Sequence, residues 1–373
     1  MPPGDTGPSP LDSLRARIAA VDERILALLA DRLELVKGVG AAKRAAALPV
    51  RSYATEAEVL ARFRRLAAEH GLDEQLAERL AHLLIGEAVR VQEEAQATRS
   101  ERALAVLVVG GAGKMGRWLS RFFAGQGHDV TTLDPAGTVE GVATATDLAS
   151  AVRSADVVLI AAPLGPGRQV LSDVLALKPA ALVADIFSLK SHVLDLLQGA
   201  AARGARVASL HPLFGPSVRT LSGRVMAVCD CGNEAAAGEA GALFADTALS
   251  LTRLPVEKHD EAMQFVLGLS HLTAILFFTT LNRSGRAFAD LAGAASTTFL
   301  KEARTAAEVA RENPYLYFEI QHLNRHSPEL FALMQRSLEA VRDAALADDP
   351  AAFAELMRRG REYFPESLPA ELG

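Results

Sequence analysis

Four aliphatic residues, Val106-Leu107-Val108-Val109, run directly into Gly110-Gly111-Ala112-Gly113-Lys114-Met115-Gly116, and a helical pattern follows at once. A strand, a glycine turn and a helix in that order leave few folds open. In the G-x-G-x-x-G spacing, Gly111 permits a tight turn, Gly113 lets the backbone approach a pyrophosphate, and Gly116 allows helix and strand to pack closely. Lys114 and Met115 open the helix on which the phosphates would rest. Asp134 ends the next strand run. Its carboxylate would accept hydrogen bonds from ribose hydroxyls and repel a 2′-phosphate, which predicts NAD in preference to NADP. Further strand runs at 129–133, 156–161, 181–185, 206–210 and 224–229 alternate with helical segments, the order of a doubly wound α/β domain. From about Pro255 the pattern is helical, with loops near Asn313 and Asp349.

At 373 residues, half of them apolar, the chain is expected to hold two or three cores. A net charge of −6 and the absence of any basic block argue against nucleic acid as a partner. Cys229 and Cys231 are the only cysteines; one intervening residue is unsuited to a disulfide, and two thiols are too few for zinc, so no metal is expected. They read as reduced, inert thiols of a cytoplasmic protein. The first ten residues lack a basic and then apolar leader and read as a frayed tail. The most apolar stretch, 265–281, is interrupted by Ser270, His271 and Thr273; it reads as a buried helix, at a subunit interface, and not as a membrane span.

Residues 11–48 contain no proline, and Leu14, Ile18, Val21, Ile25, Leu28, Leu35 and Val39 recur at alternating four-and-three spacing, which predicts one long helix ended by Pro49. Gly38 and Gly40 cost that helix about 1 kcal/mol each relative to alanine, so packing must hold its second half. Helices follow at 55–70 and 73–97, with Gly71 as a stop and Asp73 as an N-cap. Three helices make a thin core, and an intertwined dimer is expected. Arg32 falls on the apolar seam, where an unpaired guanidinium costs several kcal/mol and must be paired or bind an anion. Lys43 lies three turns on, about 16 Å along the same face, whereas Arg15 is about 25 Å from Arg32 and about 100° around, within reach only from a second copy.

Leu14-Arg15, Ala30-Asp31-Arg32, Gly40-Ala41-Ala42-Lys43, Pro49-Val50 and Glu56 resemble the all-helical chorismate mutase family over roughly residues 11–97. The resemblance implies that Arg32 and a partner's copy of Arg15 hold the two carboxylates of chorismate. It places Lys43 and Gln92 on the ether oxygen and Glu56 on the ring hydroxyl. This chain departs from the family at Thr55, where an arginine is common, and at Ser52 and Ala88. Arg51 is a neighbour able to replace the missing cation.

Three clusters resemble prephenate dehydrogenases over roughly residues 103–365: Asp185-Ile186-Phe187-Ser188-Leu189-Lys190, Leu210-His211-Pro212-Leu213-Phe214-Gly215-Pro216, and Glu257-Lys258-His259-Asp260. The resemblance implies oxidation of prephenate by NAD. In it His211 accepts the hydrogen bond of the substrate hydroxyl, Ser188 orients His211, Lys190 lies near nicotinamide and substrate, and His259 contacts substrate from the helical domain. Pro163, after the 156–161 strand, joins the nucleotide set. Anchored on Asn313-Pro314-Tyr315-Leu316-Tyr317, the position where relatives carry a carboxylate-binding arginine is Glu308; Arg304 is the candidate one turn earlier, with an ion pair to Glu308 as its competing role. Arg311 lies one turn later.

The expected architecture is multidomain: a tail at 1–10, an all-α mutase-like module at 11–100, a Rossmann-type doubly wound domain at 101–254 and an all-α dimerisation domain at 255–373. The expected function is a cytoplasmic, homodimeric enzyme of tyrosine biosynthesis acting on chorismate and prephenate, with tyrosine as an inhibitor and no nucleic-acid or membrane partner. The alternative is an arogenate dehydrogenase carrying a non-catalytic helical module.

Overall fold

A computed structural model describes residues 9–46, 53–96, 103–218, 221, 223–245, 247 and 249–365. Pro49, Arg51 and Ser52 lie outside these residues. The chain forms two compact units, one holding residues 1–98 with 217–224 and 245–250, the other holding the rest.

The first unit is helical. Helix α1 (Pro10–Ala45) is the predicted long helix; α2 (Tyr53–His70) and α3 (Glu74–Gln96) pack back as a pair. Gly71, with φ +64°, turns the chain between them, and the Asp73 carboxylate caps α3 by accepting from the Leu76 N–H at 2.9 Å. Gly40 lets α3 close on α1, because a Cβ there would stand 3.1 Å from Gln92 Cγ; around Gly38 there is open space. The apolar seam of α1 finds little to cover it. Leu14, Ile18, Val21, Ile25 and Leu28 are all at least half exposed.

The second unit contains an eight-stranded sheet in the order β3-β2-β1-β4-β5-β6-β7-β8. Strands β1 (Ala105–Val109), β2 (Asp129–Leu133), β3 (Ala143–Thr144), β4 (Val157–Ile160), β5 (Leu182–Asp185) and β6 (Val207–Pro212) are parallel, and β7 (Val225–Asp230) is antiparallel to β6. The order reverses between β1 and β4, so the crevice of an open α/β sheet lies at their C-terminal ends. Helices α4 (Lys114–Gly125), α5 (Leu148–Ser154), α6 (Leu164–Ala176), α7 (Leu194–Ala202) and α8 (Glu234–Ala242) cover the sheet. Leu107, Val158, Ile160, Leu171, Val183 and Leu197 fill its core. Two strands had no sequence signal, the two-residue β3 and the mostly exposed β8 (Ser250–Pro255). Cys229 and Cys231 are buried and free, and burial pushes the Cys229 thiol up to about 12.

After β8 the chain is helical: α9 (Val256–Met263), a π-helical turn (Gln264–Leu269), α10 (Ser270–Arg283), α11 (Phe288–Ala292), α12 (Thr297–Arg311), α13 (Pro314–Leu323), α14 (Ser327–Leu346) and α15 (Ala351–Tyr363). Asn313 caps α13 through the Tyr315 N–H at 3.0 Å. The segment Val256–Arg283 is one continuous 28-residue helix, long and apolar enough by length and composition to cross a membrane. Of the expected buried interface helix over 265–281, burial within one chain is corrected: Phe265, Val266 and Leu276 are exposed.

Candidate active sites

Sterics at the glycine loop explain its composition. Gly110, which sequence reasoning passed over, is the residue with positive φ (+88°), and a Cβ on it would stand 2.7 Å from the Ala161 carbonyl carbon at the end of β4. A Cβ on Gly111 would meet Thr132 at 2.6 Å, and one on Gly116 would lie 2.1 Å from the Gly110 carbonyl oxygen. Gly113, exposed and with nothing nearer than 3.4 Å, is where a ligand can approach the backbone. It caps α4 without a side-chain bond, so the N–H groups that open the helix at Lys114 and Met115 face outward as an anion site. The Asp134 carboxylate accepts from the Ala112 N–H (2.9 Å) and the Ala136 N–H (2.8 Å), tying the loop to the end of β2. Each oxygen keeps a second lone pair for a ribose hydroxyl. Pro163 caps α6 on the neighbouring strand end, where the Glu319 carboxylate of α13 accepts from the Gly165 N–H at 3.0 Å. This cradle fits a dinucleotide.

A second group of side chains gathers at the same sheet edge. His211 lies within β6, paired with Ala227 of β7, so a strand and not a loop fixes it. Trp118 of α4 packs edge-on against Phe214, with 5.3 Å between ring centroids, and anchors the following residues to the phosphate helix. His211 Nδ1 lies 3.0 Å from His259 Nε2, and His259 Nδ1 lies 2.7 Å from Asp260 Oδ1. His211 is 3% exposed and His259 is fully buried. Burial, then His259 and Lys190, hold the His211 imidazole well below its ordinary pKa, so it is neutral. Burial likewise lowers His259, against the pull of Asp260.

Three expectations are corrected by this geometry. Lys190 does not face a substrate: its ammonium, 1% exposed, donates to Asp185 Oδ1 (2.8 Å), Phe187 O (2.7 Å) and Leu210 O (2.8 Å), which uses all three protons. Ser188 does not orient His211, since it makes no side-chain hydrogen bond among the described residues; His259 holds the ring. His259 is covered and cannot touch a ligand directly. Asp260 emerges instead as a hub, accepting also from the N–H groups of Lys190 (2.8 Å) and Ser191 (2.6 Å). No sequence spacing marks those backbone partners. Arg304, Glu308 and Arg311 are exposed on α12, and among the described residues no ion pair joins them, so the Arg304–Glu308 bridge is absent.

In the helical unit, Arg32 is partly buried and donates to the Leu84 carbonyl at 3.1 Å; burial and then Arg62 lower its pKa, and no carboxylate pairs with it among the described residues. Gln92 is buried, and its Oε1 has no partner. Lys43 and Glu56 are partly buried. Arg15 is exposed, 3.7 Å from Asp12.

Residues 14–93 match the family model for chorismate mutase type II. Residues 123–235 match that for the nucleotide-binding domain of prephenate dehydrogenase, and 255–359 that for its dimerization domain. The T-protein of Enterobacter agglomerans is 28% identical over 362 residues, 95% of this chain and 93% of that protein. The 4-amino-4-deoxyprephenate dehydrogenase of Streptomyces pristinaespiralis is 29% identical over 272 residues, 70% of this chain and 91% of that one. In fold, the second unit is similar to the prephenate dehydrogenase of A. aeolicus crystallised with hydroxyphenyl propionate and NAD+, with a TM-score of 0.55 at 16% identity over 71% of this chain and 98% of that one.

Proposed function

The chain belongs to the bifunctional family that joins a type II chorismate mutase to a prephenate dehydrogenase, and on that premise we propose how its residues divide the work. It is an enzyme of tyrosine biosynthesis that rearranges chorismate to prephenate and oxidatively decarboxylates prephenate with NAD.

The rearrangement needs no nucleophile. It is accelerated by gripping the compact conformer and stabilising charge at the breaking C–O bond. Arg32, a partly buried cation without an acid, supports a carboxylate site, with Arg15 of a second copy on the other carboxylate. The Nε2 amide of the buried Gln92 and the Lys43 ammonium donate to the ether oxygen, and Glu56 accepts from the ring hydroxyl.

In the dehydrogenase, NAD when bound accepts a hydride from C4 of prephenate. The loop of Gly111, Gly113, Lys114, Met115 and Gly116, with Asp134 and Pro163, holds it. His211 accepts the C4 hydroxyl proton as that bond becomes a carbonyl. The C1 carboxylate leaves as CO₂, its electron pair aromatises the ring, and His211 returns the proton to the resulting phenolate oxygen. Arg304 binds the ring carboxylate, and Lys190 and Ser188 shape the strand end. The observation that carries this reading is the neutral, buried imidazole of His211, fixed at the C-terminal end of a parallel strand at the same edge as the glycine loop.

The exposed apolar faces of α1 and of Val256–Arg283 are covered by a second copy in a cytoplasmic homodimer. Tyrosine, which keeps the para-hydroxyl ring of the product, competes at the dehydrogenase site.

The test is NADH formation with prephenate and, separately, arogenate, together with chorismate consumption. His211→Asn should lower kcat on prephenate by ~100-fold or more with NAD affinity unchanged. Undiminished turnover would overturn the assignment, and turnover of arogenate alone would move the same machinery to the amino-acid analogue.

A further inference from the structure

Two hydrogen bonds connect Asp260, His259 and His211 in a line that crosses from the start of α9 to the end of β6. The position of every proton along it follows from one end. Burial favours the protonated form of the Asp260 carboxyl, but bonds from His259, Ser191 and the Lys190 backbone outweigh it and hold the group at about 2. Asp260 therefore only accepts, and the proton of the 2.7 Å contact sits on His259 Nδ1. A neutral His259 then has its lone pair on Nε2, which can only accept across the 3.0 Å contact, so His211 carries its proton on Nδ1. What remains to a neutral His211 is a lone pair on Nε2, the atom that makes no hydrogen bond within the described chain.

From this geometry we propose that Asp260 and His259 are positioning residues that lock His211 in the Nδ1–H tautomer, so that Nε2 is always presented as a proton acceptor. An unconstrained neutral histidine side chain prefers its proton on Nε2, and a His211 in that form would offer the substrate hydroxyl a donor in place of a base. The charged groups facing the two rings are Lys190 and Asp185 at the end of β5 and Asp260 on α9. Lys190 and Asp185 are bonded to each other at 2.8 Å, which leaves the Asp260 carboxylate as the uncompensated anion behind His259. When Nε2 takes the hydroxyl proton, the cation that forms is already bonded through His259 to that anion. No proton leaves the line, and the one taken up goes back to the phenolate oxygen.

The inference rests on the reading of His211 as the proton acceptor, and the experiment separates the two. Full-length enzyme labelled with 15N-histidine is measured by solid-state NMR at neutral pH, with signals assigned through His211→Asn and His259→Gln. Both rings should be neutral Nδ1–H tautomers. A His211 found as Nε2–H, or either ring doubly protonated, overturns the proposal whatever the enzyme turns over. In His259→Phe, which removes the acceptor, the His211 signal should switch to Nε2–H while kcat for prephenate falls ~100-fold or more, with KM and NAD affinity changed less than about threefold. His259→Gln, whose amide oxygen can accept, should recover the Nδ1–H signal and part of the rate. A switched tautomer with an unchanged kcat overturns the proposal. The expected tautomers together with full activity in His211→Asn would instead overturn the assignment of His211, and this inference with it.

Discussion

A lysine ammonium that is 1% exposed persists only if its charge and all three protons are met, and Lys190 meets them with one carboxylate and two carbonyls. Lys190→Met would leave Asp185 as a buried charge without its cation; unfolding by denaturant should show a loss of about 3–5 kcal/mol. Asp260 makes stability depend on pH. Its pKa of about 2 lies below the ordinary value of about 3.9, so its contribution is complete above that value and drains as pH falls towards 2. The neutral histidines act in the same direction, because His211 and His259, held low by burial, must take up protons to match the unfolded chain below about 6.5. Unfolding free energy should fall as pH drops below about 6.5 and more steeply below about 4, and the steeper part should flatten in Asp260→Asn. The sequence brought His211, Lys190, His259 and Asp260 to notice through their motifs. It could not show their directions, since the bond between His211 and His259 spans 48 residues and depends on how a helix meets a strand end.

Glycines show the same division within single elements. The 2.1 Å approach at Gly116 involves backbone oxygen, which cannot yield, so Gly116→Ala should destabilise the domain by about 1–3 kcal/mol and abolish NAD binding in a fluorescence titration. In α1 two glycines two positions apart should behave oppositely. Gly38→Ala meets nothing within 4 Å and should stabilise the helix by about 1 kcal/mol, whereas Gly40→Ala presses on Gln92 and should slow chorismate turnover while leaving prephenate oxidation intact. The fingerprint glycines were legible because their constraint is local. The difference between Gly38 and Gly40 was not, because it depends on where α3 lies.

For the whole molecule, the thin helical unit and its long exposed seam point beyond one chain, and this much was legible: a 36-residue helix with apolar residues at every third or fourth position outruns the two shorter helices beside it. Replacing Ile18 and Ile25 with lysine should remove chorismate turnover, which needs Arg15 of a second copy across this seam, while prephenate oxidation by the same preparation continues. The segment Val256–Arg283 carries Asp260 inside the fold at one end and an uncovered greasy flank further along. Its π turn, wider than an α turn, keeps Asp260, Gln264, Gly268 and Leu272 in one inward column, where four-residue steps along an unbroken α-helix would creep by about 40° each. That turn takes up one residue more than an α-helix would use, so deleting it should restore ordinary winding and leave the downstream faces nearly in phase, whereas a deletion outside the turn would rotate them by about 100°. The molecule thus absorbs one surplus residue locally and keeps its outer contact surface in phase with its chemistry.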